Sequence, residues 1–122
     1  MKFVPLLKVT DLSRAVKFYT ETLDFKVADY DADLTSPVID LLRDGAKMQL
    51  CEFDGTPAIA VNVEVDEVDE LFRSYIARGL DTSTKPNSPV HQGPIDQTWG
   101  FREFYVTDQD GNTLRFRQVS ES

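Results

Sequence analysis

The stretches "LLKVTDLSRAVKFYTETLDF" (6–25) and "NVEVDEVDELFRSYIARGLD" (62–81) decide the fold, because they are one pattern written twice. In the first, an alternating run leads into a helix that Asp11 or Thr10 can cap by accepting a bond from an orphan N–H. Leu12, Ala15, Val16, Tyr19 and Leu23 then recur at helical spacing. In the second, Asp66 is the expected cap, and Val68, Leu71, Phe72, Tyr75 and Ile76 form the apolar stripe. Gly79 ends that helix, as a left-handed cap requires. Val9 matches Val65, Leu12 matches Val68 and Tyr19 matches Tyr75, all at a shift of 56.

Strand patterns follow each helix. "VIDLL" (38–42) leads through an Arg-Asp-Gly turn into "AKMQLCEF" (46–53). "REFYVT" (102–107) leads through "DQDG" (108–111) into "TLRFRQV" (113–119). Asp-Gly between alternating runs marks a hairpin. Each half therefore reads as a βαβββ module, module one about 1–55 and module two about 56–120, within a single domain spanning 1–122. Met48 matches Leu114 at a shift of 66, so module two carries about ten extra residues. They fall in "TKPNSPVHQGPIDQT" (84–98), whose Pro, Gly, Asn and Ser predict a long loop. Loops of that length in compact domains often carry function.

The expected architecture is α+β: two curved sheets around a cavity, with helices on the outer faces. Strand side chains alternate between faces. Leu7, Val9, Met48 and Leu50 in module one, and Val61, Val63, Val65, Leu114 and Phe116 in module two, face the helices. The opposite face takes Val4, Leu6, Lys8, Lys47, Gln49, Cys51 and Phe53 from module one. From module two it takes Ala60, Asn62, Glu64, Glu103, Tyr105, Thr113, Arg115 and Arg117. Apolar walls with a few convergent polar groups are what ligand sites look like. Tyr19 and Tyr75, on the helix stripes, read as core.

Composition narrows the function. The chain has 122 residues, 41% hydrophobic and 28% charged, with a formal net charge of -8. That charge argues against a nucleic-acid partner, which needs basic patches, and favours encounter with cations. The one cysteine, Cys51, cannot form an intrachain disulfide, which fits a reducing compartment, so the expected location is cytoplasmic. No histidine stands ready to activate Cys51 as a nucleophile. No apolar run approaches the about 20 residues of a membrane span, and the N-terminal run is too short for a signal-peptide core. His91, the single histidine, falls in the long loop and reads as a surface residue.

Paired modules carrying "VTDLSRAVKFYTETLDF", "VEVDEVDELFRSYIARGL" and "WGFREFYVTDQDGNTLRF" resemble the vicinal oxygen chelate superfamily of glyoxalases, extradiol dioxygenases, fosfomycin resistance enzymes and bleomycin resistance proteins. The resemblance covers most of the chain, without the middle of module one and the long loop. For the metalloenzyme branches it implies ligands at four positions, held here by Val4, Ala60, Arg115 and Gln49. Valine and alanine offer no donor, a guanidinium is a permanent cation, and Gln49 alone cannot hold an ion. The chain therefore resembles the metal-free branch, the bleomycin resistance proteins, and no cofactor is expected.

What that resemblance implies is a homodimer that sequesters a cationic or aromatic antibiotic-like compound in grooves at the subunit interface, without chemistry. Trp99 and Gly100 match the Trp-Gly that such proteins often carry before the penultimate strand. An indole there suits a flat ring, adding about 0.5–1.5 kcal/mol beyond area burial. Candidate ligand contacts are Trp99, Arg115, Gln49, Asn62, Glu64, Glu103 and Tyr105. In the segment 28–40 the one aromatic candidate is Tyr30. For Arg115 there are two roles, ligand contact or an ion pair with Glu64 or Glu103. The alternative function is a metal-dependent glyoxalase- or dioxygenase-type lyase, isomerase or oxidoreductase with non-standard ligands.

Overall fold

The computed structural model describes residues 1–82 and 93–120. Module one runs β1 (Leu6–Lys8), α1 (Leu12–Lys17), β2 (Lys26–Val27), β3 (Val38–Arg43) and β4 (Ala46–Cys51). Module two repeats it as β5 (Ala60–Glu64), α2 (Val68–Ala77), β6 (Ile95–Asp96), β7 (Phe101–Thr107) and β8 (Thr113–Val119). The sheets have the same order, β1-β4-β3-β2 and β5-β8-β7-β6. In each, the first strand lies parallel to the last and the other pairings are antiparallel.

The helix starts differ. Asp11 caps α1, its carboxylate accepting from Arg14 N at 3.1 Å. The expected cap at Asp66 is not formed. Glu67 holds the N-cap position of α2 and makes no side-chain cap bond. Instead Gln118, on β8, supplies an Oε1 acceptor to Val68 N at 2.7 Å, satisfying the orphan donor from outside the helix. Gly79 ends α2 at φ +95, with Leu80 N bonded to Tyr75 O at 3.0 Å, as the sequence predicts. Helix α1 widens into a π-helical turn over Phe18–Thr22, closed by Leu23 N on Phe18 O.

The hairpins form where Asp-Gly predicts them. Asp44 and Gly45 both have positive φ, 48° and 82°, the geometry of a type I′ turn. Two strands escape the pattern, β2 and β6, each of two residues. β6 lies inside the segment expected to be loop, so that segment is partly a sheet edge. Residues 83–92, His91 among them, lie outside the described residues.

The helix-facing sides form one core. Leu7, Val9, Ile39, Leu41, Met48 and Leu50 are buried with Ala15, Val16, Tyr19 and Leu23 of the first helical segment. In module two, Tyr75 meets Phe104 and Phe116 edge-on, at 6.1 and 5.5 Å between centroids, and those two rings stack at 5.1 Å. Fully burying such a side chain contributes about 1.5–3 kcal/mol. Ile76, expected on the apolar stripe of α2, is instead 42% exposed.

Hydrogen bonds tie the modules together. Tyr19 Oη donates to Asp108 Oδ2 at 2.7 Å. Asn112 Nδ2 donates to Lys8 O at 2.9 Å and to Asp108 Oδ2 at 3.1 Å, while Asn112 Oδ1 accepts from Ile59 N. On the helix side, Arg78 of module two pairs with Asp24 at 2.9 Å. The carboxylate and amide of "DQDGN" are thus a staple between modules.

Candidate functional site on the open face of the second sheet

Register fixes what the open face of the β5-β8-β7-β6 sheet presents. Phe104, Val106, Leu114 and Phe116 turn to α2, so Phe101, Glu103, Tyr105, Arg115 and Arg117 turn the other way. Arg115 pairs laterally with Asn62 on β5 and with Tyr105 on β7. Glu103 lies diagonally from Arg115.

At the centre is a carboxylate sealed from solvent. Glu103 is 0% exposed. It accepts from three donors: Trp99 Nε1 at 3.3 Å, Tyr105 Oη at 3.0 Å and Arg115 Nη2 at 3.4 Å. A buried carboxylate needs such donors to remain charged at tolerable cost. The Arg115–Glu103 ion pair anticipated from the sequence is therefore present. Trp99 itself is 53% exposed, so its indole is tethered at one edge and open over the rest.

Two arginines lie over aromatic rings. The Arg115 guanidinium sits 4.7 Å from the Tyr105 centroid, and that of Arg117 sits 4.1 Å from the Phe101 centroid. Arg117 Nη2 also reaches Glu64 at 3.0 Å. Burial, together with the hydrogen bond given to the Glu103 carboxylate, raises the Tyr105 phenol above its ordinary value. Its proton stays on and its hydroxyl keeps donating.

The other candidates belong to module one: Gln49 on its sheet, Tyr30 on the short 3-10 turn Asp29–Asp31. Gln49 lies between Leu6 and Asp40 on its open face. Tyr30 is exposed and donates to Asp40 Oδ2, a bond that pushes its pKa up to about 12. The structure thus brings Trp99, Glu103, Tyr105 and Arg115 into one bonded group, places Asn62 and Glu64 beside it, and leaves Tyr30 and Gln49 on the other module. Cys51, expected to face the cavity, is on that side of the sheet by register but is fully buried. The linker between modules folds over its strand neighbours: a Cβ at Gly55 would stand 3.3 Å from Leu6 Cδ2.

Sequence reasoning passed over Phe101 as a site residue. Its signal is alternation: Phe101, Glu103 and Tyr105 are spaced by two. A hollow of about 730 Å³ lies elsewhere, between the β3–β4 turn and α2, walled by Phe25, Val65 and Tyr75 and rimmed by Asp44 and Glu70. Among the described residues, no three His, Cys, Asp or Glu side chains come together as a metal ion would require, and no helix is long and apolar enough to cross a membrane.

Twin βαβββ modules, each with a helix on one side and an open polar-aromatic face on the other, define the class of protein. The model of the Glyoxalase/Bleomycin resistance protein/Dioxygenase superfamily matches residues 4–116, and the chain belongs to that superfamily. Among solved structures, it resembles a bleomycin-binding protein complexed with bleomycin, at 22% identity and a TM-score of 0.79 over 98% of this chain and 99% of that one. A bleomycin resistance determinant encoded on transposon Tn5 gives 22% identity and 0.79 over 99% of both chains. The bleomycin-binding protein of Streptomyces verticillus, complexed with copper(II)-bleomycin, gives 24% identity and 0.74 over 99% of this chain and 97% of that one. Comparison with curated proteins finds no match.

Proposed function

We propose that the protein is a metal-independent, cytoplasmic small-molecule-binding protein that sequesters an antibiotic-like aromatic compound against Trp99. The observation that carries this is the tether between Trp99 Nε1 and the sealed Glu103 carboxylate. It fixes a half-exposed indole as a platform, and a fixed platform loses little entropy when a ring stacks on it. Arg115 and Tyr105 border the same surface. The fold's likeness to bleomycin-binding proteins supports a binding role.

The donor set does not fit a metal. Val4 and Ala60 carry no lone pair, and Arg115 brings a permanent positive charge to a third position. Glu103 already accepts three hydrogen bonds.

We further propose that the working form is a homodimer. Among the described residues the site is an open face rather than an enclosed pocket, and both modules expose apolar side chains: Trp99 and Ile95 on module two, Phe3 and Phe53 on module one. A second copy laid across this face would turn it into a groove and cover that surface.

Titration with bleomycin and smaller aromatic compounds, following the fluorescence of the single tryptophan, tests the reading. The expected result is a saturable change at micromolar ligand. Stoichiometric zinc, nickel, manganese or iron retained after dialysis would overturn metal independence.

A further inference from the structure

We infer that the compound held on the open face carries an anionic group, a carboxylate or its equivalent, seated by Arg115 and Arg117. This rests on the binding role proposed above and names its ligand class. It runs against the formal charge of -8, which taken alone favours a cation.

The argument is where the charges sit. On the open face of the first sheet, register places Lys26 and Lys47 on either side of Leu42, with Lys8 farther along, against the single acid Asp40. Asp40 already takes the Tyr30 hydroxyl. On the second sheet, Arg115 and Arg117 stand against Glu103 and Glu64. The open faces therefore carry more positive than negative groups, and the excess acid lies on helices, turns and linker.

Accessibility acts unequally on the two acids: the Glu64 side chain is 69% exposed but is bonded to Arg117. Glu103 shows nothing to solvent, and its three donors occupy it. A ligand meets the guanidinium groups, whose side chains are 31% and 25% exposed. A guanidinium offers five N–H donors in a planar fork. Arg115 gives its acid partner one contact at 3.4 Å; among the described residues the Nε–H groups of both arginines have no partner, but they are sealed from solvent, so a ligand meets the Nη groups. Each guanidinium lies over a ring, which holds its plane and leaves the Nη end to meet an acceptor. Planar carboxylates are what such edges take, by paired N–H···O bonds. The two Cα positions lie about 7 Å apart along one strand face, so one anion reaches either group and feels both. The flat part of the ligand stacks on Trp99.

Three probes of one shape separate the possibilities: 2-naphthoate, 2-naphthylmethanol and 2-naphthylmethylammonium. They are titrated into the ¹⁵N-labelled full chain, following the single indole N–H and the arginine Nε–H resonances. The expected result is that naphthoate binds about tenfold or more tighter than the ammonium, as charge-assisted bonds require, and shifts the Nε–H signals of Arg115 and Arg117. Arg117→Gln, which disturbs only Glu64 and the Phe101 face, removes the advantage of the acid over the alcohol; Arg115→Gln does the same if it folds. An ammonium that binds as well as naphthoate while moving the indole signal overturns the anionic ligand and leaves the binding role standing. If no probe moves the indole signal, both fall.

Discussion

Tyr19 and Tyr75 hold equivalent places in the two modules, and each exchanges a hydrogen bond with the hairpin turn of the other. Tyr19 Oη donates to Asp108 Oδ2 at 2.7 Å, beside the β7–β8 turn. Tyr75 Oη accepts from Arg43 Nη1 at 2.9 Å, beside the β3–β4 turn. The repeat of 56 residues thus shapes the docking of the modules as well as their folds. Tyr19→Phe leaves Asp108 with the N–H groups of Asp110 and Asn112 and the Asn112 amide, but removes a buried donor. The expected loss is about 1–3 kcal/mol, measured by urea unfolding.

These tyrosines also set the alkaline limit of stability. Burial raises both, Tyr19 well above its ordinary value with Asp108 adding to the effect, and Tyr75 to about 12. A pKa higher in the folded chain means the folded state holds the proton more tightly. Its contribution is therefore complete below the unfolded value near 10 and is lost as pH rises through the folded value. Unfolding free energy should be flat up to about pH 9 and fall from about pH 10 upward. Tyr19→Phe and Tyr75→Phe should each flatten that fall, and unchanged slopes would contradict the assignment.

The staple predicts unequal costs at two glycines. Gly45 and Gly111 both have positive φ, 82° and 85°, so alanine is strained at either. A Cβ at Gly45 meets nothing within 4 Å, whereas one at Gly111 stands 3.3 Å from Ala58 Cβ on the linker. Gly45→Ala should cost about 1 kcal/mol. Gly111→Ala should cost more, and the excess measures how firmly the linker packs on the turn.

Glu103→Gln tests the tether of the indole. The amide keeps the shape but removes the charge that faces Arg115. It should cost about 1–3 kcal/mol of stability, discounted from a fully buried pair because Arg115 is partly exposed. The distinctive readout is tryptophan anisotropy decay. The indole should gain fast motion, and affinity for an aromatic probe should drop with it. A variant that is destabilised but keeps a rigid indole would show that Glu103 serves folding alone.

Much of this is legible in sequence where one element carries its own signal. Alternation places Glu103, Tyr105 and Arg115 on one face, and the Asp-Gly turns mark the hairpins. What is missed depends on partners distant in the chain. Asp66 loses its capping role because Gln118, fifty residues beyond Val68, supplies the acceptor. β2 and β6 are too short for alternation to register and exist because β3 and β7 offer edges. Cys51 is fully buried although alternation places it on the open side, because burial depends on packing that no periodicity encodes.

The proposed homodimer has a sharp test in Phe3. Its ring is 92% exposed, so within one chain it contributes little to folding. If a second copy covers the open face and this arm, Phe3 is buried there, and twofold symmetry makes each substitution count twice. Phe3→Asp then removes about 3–6 kcal/mol from association, a hundredfold or more in Kd, while leaving single-chain unfolding within about 0.5 kcal/mol. Sedimentation should show a wild-type dimer and a variant shifted toward monomer with the same far-ultraviolet spectrum. Ligand affinity should fall with dimer content and recover at high protein concentration, because the groove exists only when the second copy closes it. A monomeric wild type that binds ligand at full affinity would place the whole site on one open face.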